Sequence, residues 1–220
     1  MHNELIVYHH LGLGDHFICN GLVNKLSESC DKLYLMCKSN NYETVRCLYE
    51  DNNIIDVVKI YDENTDIKLF GKFKNINITL VGFSDFNNKT FDQSFYTNIG
   101  LDFSIRYSYF KLPTNKTNSE FLFNKLQLKE PYIVIHCESS ECNYNLNINS
   151  NFNKFYIKRS ITNNLLDYID IINNASEIHC IDSSVYHLVD SLKLSSKLYF
   201  HNVRNSQHNK IRVSDKWTIV

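Results

Sequence analysis

The sequence predicts an α/β protein built from two small halves, each a parallel sheet flanked by helices. Short apolar runs alternate with segments whose apolar residues recur at helical spacing, which is typical of parallel strands joined by crossover helices. This alternation pauses at a polar stretch that opens with Pro113 and then begins again. In each half, one strand is followed by a turn of small and polar residues and then by a helix.

The N-terminal half, residues 1–112, is predicted to alternate strands and helices. Strands are expected at Leu5–Tyr8, Lys32–Cys37, Ile54–Ile60 and Ile76–Val81, and helices at Ile18–Leu26, Tyr42–Tyr49 and Thr90–Ile99. Residues 107–112 fit neither period. Short units of strand, helix and strand indicate a parallel sheet with right-handed crossovers.

The C-terminal half, residues 113–220, begins with a predicted linker at Pro113–Glu120. Strands are expected at Tyr132–Cys137, Phe155–Ile157, Ile178–Ile181 and Lys197–Phe200, and helices at Glu120–Leu128, Leu165–Ile172 (capped by Thr162 or Asn163) and Val185–Leu192. The Asn-rich residues 143–153 are predicted to form a surface loop. The end of the chain is interpreted as a polar basic tail that contains Arg204, His208, Lys210 and Arg212.

Composition limits the possible functions. The chain has 220 residues and a formal net charge of −1, which gives no electrostatic reason to expect a nucleic-acid partner. It has no apolar run long enough to cross a bilayer, and its first residues do not resemble a signal peptide, so we expect a cytoplasmic protein. Seven cysteines without C-x-x-C spacing indicate free thiols rather than a zinc site or disulfides.

The turn after the first strand is the first candidate site. Gly12 and Gly14 let the backbone take positive φ and let a ligand approach closely, and the next helix offers unpaired N–H groups. Asp15 and His16 are therefore expected where a substrate can lie. Asp15 can equally cap the helix. A catalytic role and a structural role stay open.

The second candidate site is the turn Asp182-Ser183-Ser184 before the helix at Val185–Leu192. Two hydroxyls and the first helical amides can hold a phosphate or a ribose, with His187 one turn along on the same face. The alternative is a serine cap with a half-buried His187.

Two further residues of the second half are candidates. His136 ends a predicted strand, where it is either a ligand contact or a hydrogen-bonded core histidine. Arg159 can meet a diphosphate with two hydrogen bonds, although it can also belong, with Lys158, to a solvated face.

Several enzyme classes are disfavoured. The first turn has G-x-G but carries Phe17 where a dinucleotide site has its third glycine, and the second strand ends in Cys37-Lys38 without an acidic residue for a ribose. The sequence has no P-loop, no G-x-S-x-G and no D-x-D. A nicotinamide dehydrogenase, a serine hydrolase and a metal-chelating diphosphate site are therefore disfavoured.

The two turns resemble motifs of one enzyme family. The stretch His10–Asp15, followed by an apolar helix, resembles the N-terminal Gly-Asp motif of heptosyltransferase-like GT-B glycosyltransferases. The stretch Ile181–Leu188 resembles their Asp-Ser/Thr-Gly…His-Leu donor motif, with Ser184 where the family often has glycine. More specifically, the chain resembles small glycosyltransferase-like proteins of bacteria and large DNA viruses.

This resemblance implies two Rossmann-like halves that face each other across a cleft, with the acceptor on residues 1–112 and the nucleotide-sugar on residues 113–220. It implies metal-independent, inverting transfer to a glycan or other hydroxyl acceptor, with Asp15 as general base and with Asp182, Ser183, Ser184 and His187 at the donor. We also expect Gly14, His136 and Arg159 on the donor side, and His10 and His16 on the acceptor side. No cofactor is expected. For a viral chain the location is the host cytoplasm.

The sequence leaves two alternatives open. The short chain and the changed donor motif also fit a non-catalytic nucleotide- or sugar-binding protein. A nucleotide-sugar epimerase on the same scaffold would alter a donor without using an acceptor.

Overall fold

The structure, a computed structural model, describes residues 3–83, 91–204 and 213–220. The chain forms two compact units, Met1–Thr114 and Asn115–Val220. Each unit contains an open, all-parallel sheet accompanied by helices. The predicted α/β class with two parallel sheets is confirmed.

The first unit has a four-stranded sheet in the order β3-β2-β1-β4. Its strands are β1 (Glu4–Tyr8), β2 (Lys32–Lys38), β3 (Ile55–Ile60) and β4 (Ile78–Leu80). Its helices are α1 (Leu13–Ile18), α2 (Asn20–Ser27), α3 (Tyr42–Leu48), α4 (Asp66–Lys74), α5 (Phe91–Thr97) and α6 (Ile105–Ser108). On one face of the sheet, Ile6, Tyr34 and Met36 pack in a buried cluster with Ile67 of α4. Helices α2 and α3 contact β2, which explains why β2 reads as a continuous apolar run.

Helices α2 and α6 pack very closely. A Cβ atom added at Gly21 of α2 would lie 2.2 Å from the Ile105 carbonyl oxygen, so this contact requires glycine. The next residue, Arg106, is fully buried and pairs with Asp92 of α5 at 2.9 Å between Nη1 and Oδ2. Removing one partner of such a pair leaves the other charge buried without a partner and lowers the free energy of unfolding by about 3–5 kcal/mol. This ion pair therefore ties α5 to α6.

The second unit has a five-stranded sheet in the order β6-β5-β7-β8-β9. Its strands are β5 (Tyr132–His136), β6 (Asn153–Tyr156), β7 (Glu177–Cys180), β8 (Lys197–Phe200) and β9 (Trp217–Ile219). Its helices are α7 (Thr117–Leu126), α8 (Ile169–Asn173) and α9 (Ser184–Ser191), with a 3-10 turn at Leu165–Tyr168. Tyr186 of α9 packs on Phe200 and Trp217, with ring centroids 5.0 and 4.8 Å away.

The crossover between β5 and β6 is unusual because it contains no helix. Parallel strands are usually joined through a helix, whereas residues 137–152 are irregular apart from an isolated bridge between Glu138 and Asn143. The predicted Asn-rich loop lies here. Lys154 of β6 holds it by donating from Nζ to the Ile148 carbonyl at 2.8 Å.

The predicted strands are confirmed as β1 to β8, and the differences lie mainly in the helices. The pattern missed α4, α6 and β9. The first helix is divided at Cys19 into α1 and α2, and α7 begins at Thr117, inside the predicted linker.

The cap before the Leu165–Tyr168 turn also differs from the prediction. It is Asn164, whose Oδ1 accepts the Leu166 N–H at 3.1 Å, and not Thr162 or Asn163. Thr90, His208, Lys210 and Arg212 lie outside the described residues.

Candidate functional site

The turn between β7 and α9 is organised by Ser183. This residue is the N-cap of α9, and its Oγ accepts the Tyr186 N–H at 3.4 Å. The same hydroxyl lies 2.9 Å from Nδ1 of His136. Because β5 and β7 are neighbours in the sheet, the end of β5 brings His136 to the turn after β7. The two residues therefore meet at the carboxyl edge, where open α/β sheets bind ligands.

His136 is uncharged at neutral pH. Burial, helped by the nearby charge of Arg159, lowers the pKa of His136 to about 4. Ser183 Oγ accepts from Tyr186 and still has a hydrogen and a second lone pair, so it can donate to Nδ1 of His136 or accept from it, depending on the tautomer of the imidazole. This arrangement fixes the orientation of both side chains.

Asp182 and His187 form a second linked pair at the same turn. Nε2 of His187 lies 3.4 Å from Oδ1 of Asp182. His187 is only 5% exposed, and within the described ranges its buried Nδ1 has no hydrogen-bond partner. The structure thus brings together four predicted donor-side residues. Ser184, the first residue of α9, is adjacent to them.

Arg204 also reaches this turn, and sequence reasoning assigned it only to a tail. Its Nη1 donates to the Asp182 carbonyl at 3.3 Å and its Nη2 to Glu141 Oε1 at 3.0 Å. Arg159, which was predicted for this role, is exposed. The signal that could have found Arg204 is its position shortly after β8, at the same sheet edge as the turn after β7.

In the first unit, Asp15 closes its own turn. Gly12 is the N-cap of α1, and its N–H donates to Oδ2 of Asp15 at 3.1 Å. Asp15 is therefore not the N-cap but the third helical residue, which reaches back to the cap. A Cβ atom at Gly12 would lie 2.7 Å from that same oxygen, so glycine leaves room for the carboxylate.

The left-handed residue of this turn is Leu11, with φ of 63°, whereas Gly12 has φ of −64°. The expectation of positive φ at Gly12 and Gly14 was wrong, because the contacts of Leu11 with His9, Asn41 and the core hold the left-handed conformation at Leu11 instead. The Leu11 N–H donates to His9 Nδ1 at 3.1 Å, and the Leu11 carbonyl accepts from Asn41 Nδ2 at 3.0 Å. The side chain fills the core beside Ile6. These contacts compensate the strain of a left-handed leucine.

His16 is fully buried, so the expectation that it faces a substrate was wrong. Its ring meets the ring of His9, also fully buried, edge-on at 4.3 Å. Among the residues that the structure describes, neither nitrogen of His16 nor Nε2 of His9 has a hydrogen-bond partner. Burial lowers the pKa of His9 to about 3 and that of His16 well below its usual value. Both rings are neutral at pH 7.

His10 differs from these two because it is only partly buried. Its Nε2 lies 2.8 Å from the Gly82 carbonyl, and since a carbonyl only accepts, Nε2 carries the proton. Its ring stacks on Phe83 at 4.5 Å. Of the two predicted acceptor-side histidines, His10 is the one that solvent reaches.

The residues that the structure describes offer neither a metal-ion cluster nor a membrane-spanning helix. The described residues contain no group of three or more His, Cys, Asp or Glu side chains that could hold a metal ion. All seven cysteines are free thiols. Within the same described ranges, no helix combines the length and apolar character needed to span a bilayer.

The chain shares its fold with solved glycosyltransferases. It superposes on ADP-heptose LPS heptosyltransferase II of Escherichia coli with a TM-score of 0.64 and 11% identity, over 99% of this chain and 90% of that one. The chain has a heptosyltransferase fold. The resemblance predicted from the two turns is thereby confirmed at the level of the fold.

Other solved structures with the heptosyltransferase fold agree. A family 9 glycosyl transferase from Veillonella parvula matches with a TM-score of 0.58 and 9% identity, over 90% of this chain and 80% of that one. The iron-containing dodecameric glycosyltransferase TibC from enterotoxigenic E. coli matches with a TM-score of 0.54 and 15% identity, over 90% of this chain but only 58% of TibC. No protein-family model and no curated protein sequence matches the chain.

Proposed function

We propose that the chain is a glycosyltransferase that moves a sugar from a nucleotide-sugar donor to a hydroxyl of a glycan or glycosylated acceptor without a metal ion. The proposal depends on one observation. In a chain with a heptosyltransferase fold, His136 contacts Ser183 and His187 contacts Asp182 at the carboxyl edge of the second sheet. Ligands of open α/β sheets bind at this edge.

In this proposal the second unit holds the donor. The hydroxyls of Ser183 and Ser184 and the first amides of α9 meet the donor's phosphates, where the helix dipole favours negative charge. His136 and His187 hold the turn in shape, and Arg159 approaches from the loop after β6. TibC has been solved with ADP-D-β-D-heptose, so ADP-sugars are the first donor class to test.

The first unit supplies the base and, near His10, the acceptor. Asp15 takes the proton of the acceptor hydroxyl while that oxygen forms a bond to the anomeric carbon of the sugar. The bond from this carbon to the donor's phosphate oxygen breaks, and its electron pair leaves with the nucleoside diphosphate. This in-line displacement inverts the anomeric centre. The bond from the Gly12 N–H to Asp15 Oδ2 keeps the carboxylate in place, and Gly14 leaves room for the donor in the same turn.

The test is a panel of ADP-, UDP-, GDP- and CMP-sugars with glycan acceptors in the presence of EDTA. We expect transfer with at least one donor, and we expect Asp15→Asn to lower kcat by about 10²–10⁴-fold, the usual contribution of a general base. Donor Kd should change little, because the amide still accepts from Gly12. The control is Asp56→Asn, the same neutralisation at an exposed ion pair with Lys32. Absence of donor binding and of turnover across the panel would refute the proposal.

One observation favours a second candidate, a non-catalytic nucleotide-sugar-binding protein. Asp15 Oδ2 bonds the backbone of its own turn, which is a sufficient structural reason for the residue. In that case the wild-type protein binds a donor, NMR spectra of the mixture show neither transfer nor hydrolysis, and Asp15→Asn alters nothing but stability.

A further inference from the structure

Arg204 and Glu141 form an ion pair next to the Asp182-Ser183 turn. Nη1 of Arg204 donates to the Asp182 carbonyl in the turn at 3.3 Å. Nη2 of Arg204 donates to the Glu141 carboxylate at 3.0 Å. Within the described residues, the buried Nε of Arg204 has no hydrogen-bond partner. Arg204 is therefore a cation at the turn whose donor groups are only partly used.

We propose that Arg204 binds the diphosphate of the donor and that Glu141 occupies its guanidinium until the donor arrives. This inference rests on the proposed function, because it assumes that the second unit binds a nucleoside diphosphate. A guanidinium matches two phosphate oxygens with parallel hydrogen bonds, which a lysine cannot do. In a site without a metal, this cation also stabilises the charge of the leaving diphosphate.

Glu141 is well placed to exchange with a ligand. Its side chain is 66% exposed, so releasing the carboxylate to water costs little. A short turn presents it: Ser139 Oγ accepts the N–H groups of Glu141 and Cys142, each at 3.1 Å, and the Ser139 N–H donates to the Cys142 carbonyl at 2.9 Å. The backbone of Glu141 is thus held by hydrogen bonds that do not depend on the ion pair.

The exchange has a consequence for the crossover between β5 and β6. Residues 137–152 contain no helix, and the pair of Glu141 with Arg204 ties this loop to the turn after β7. When a diphosphate displaces Glu141, the loop loses that tie. Donor binding should therefore loosen the loop while it orders the turn.

The experiment measures the Kd of ADP and of inorganic pyrophosphate by calorimetry on the full chain. Arg204→Ala should weaken both by about 10- to 100-fold, as expected when a charge-assisted hydrogen bond is lost. Glu141→Gln should tighten both by about two- to fivefold, since an exposed competing ion pair is removed. In the Arg204→Ala background, Glu141→Gln should have no further effect. The control Lys197→Ala removes an exposed cation from the opposite end of β8 and should leave both Kd values unchanged.

A second variant tests whether Arg204→Ala loses binding only because it misfolds. Arg204→Lys keeps the positive charge but lacks the planar guanidinium, and it should lower the affinity for pyrophosphate less than Arg204→Ala does. In the wild-type protein, pyrophosphate should also speed hydrogen exchange at the Tyr144 amide, which donates to the Cys137 carbonyl in the loop.

Each outcome separates this inference from the proposed function. If the wild-type protein binds ADP but Arg204→Ala binds it equally well, the inference is wrong and the proposed function stands. If Glu141→Gln weakens binding or leaves it unchanged, Glu141 does not compete with the ligand and the exchange is rejected. If the wild-type protein binds no nucleoside diphosphate and no pyrophosphate, both the inference and the proposed function fail.

Discussion

The two candidate turns follow the same plan of strand, polar turn and helix, but their polar groups bond in different ways. In the second unit, the groups bond across strands, from His136 to Ser183 and from Arg204 to Asp182. In the first unit, Asp15 bonds its own backbone, and Nε2 of His9 and both ring nitrogens of His16 are buried without hydrogen-bond partners in the described residues. The chemistry of a turn therefore depends on which residues end the neighbouring strands as well as on its own sequence.

The largest expected effect is the response of the two units to acid, which involves different buried histidines in each unit. His9 and His16 are buried and neutral, with pKa values lowered from about 6.5. The unfolded chain therefore binds protons that the folded chain does not. Stability is complete above about pH 6.5 and falls as the pH decreases toward the folded pKa, by about 1.4 kcal/mol per unit of pKa difference for each group.

The second unit carries buried histidines of its own. Burial lowers the pKa values of His136 and His201 to about 4, and it also lowers that of His179. Trp217 is the only tryptophan and reports on the second unit, whereas far-UV circular dichroism reports on both. We expect both signals to report lost stability as the pH falls from about 6.5 to about 4. His136→Phe should reduce the loss that Trp217 reports, and His16→Phe should reduce only the loss that circular dichroism reports. Equal stability at about pH 6.5 and about pH 4 in the wild-type protein would contradict the neutral burial of these histidines.

A smaller effect is expected at the cap of the second turn. Ser183→Ala removes the acceptor for the Tyr186 N–H and the partner of His136, and a lost N-cap costs about 0.5–2 kcal/mol. The matched change Ser184→Ala, one residue later and inside α9, should stay within about 0.5 kcal/mol. Urea unfolding followed by Trp217 fluorescence measures both. Equal losses would mean that Ser183 does not hold the turn.

The sequence predicted the parts of the fold that depend on local pattern. Apolar runs such as Tyr132–His136 identify strands because burial on both faces leaves few polar positions. The two turns were visible because small and polar residues follow buried strands. Helix α4 was missed because Leu69 and Phe73 are exposed and Lys residues surround them, so its apolar face is weak.

The site depended on information that a single sequence does not contain. The bond between His136 and Ser183 requires β5 to lie beside β7, which is a matter of strand order. Arg204 reaches the turn after β7 only because β8 neighbours β7. The burial of His16 depends on the ring of His9 across the turn. Local pattern located the turns, and strand neighbours decided which side chains meet there.

The smallest effect concerns the backbone of the first turn, and a pair of variants isolates it. Leu11→Ala and Leu11→Gly both empty the same core position, but only glycine tolerates φ of 63° without strain. We expect Leu11→Gly to be more stable than Leu11→Ala by about 1 kcal/mol, the order of the left-handed penalty.

Ile181 is the matched position in the second unit, since it is also fully buried, directly follows a strand and is not among the positive-φ residues of the described chain. At Ile181 we expect the alanine variant to be the more stable of the two. Where φ is negative, a glycine variant is less stable than an alanine variant by about 0.5–1 kcal/mol. Thermal unfolding of the four variants measures both differences. If glycine is the weaker substitution at both positions, the first turn stores no strain at Leu11, and the contacts of His9 and Asn41 hold a conformation that needs no compensation.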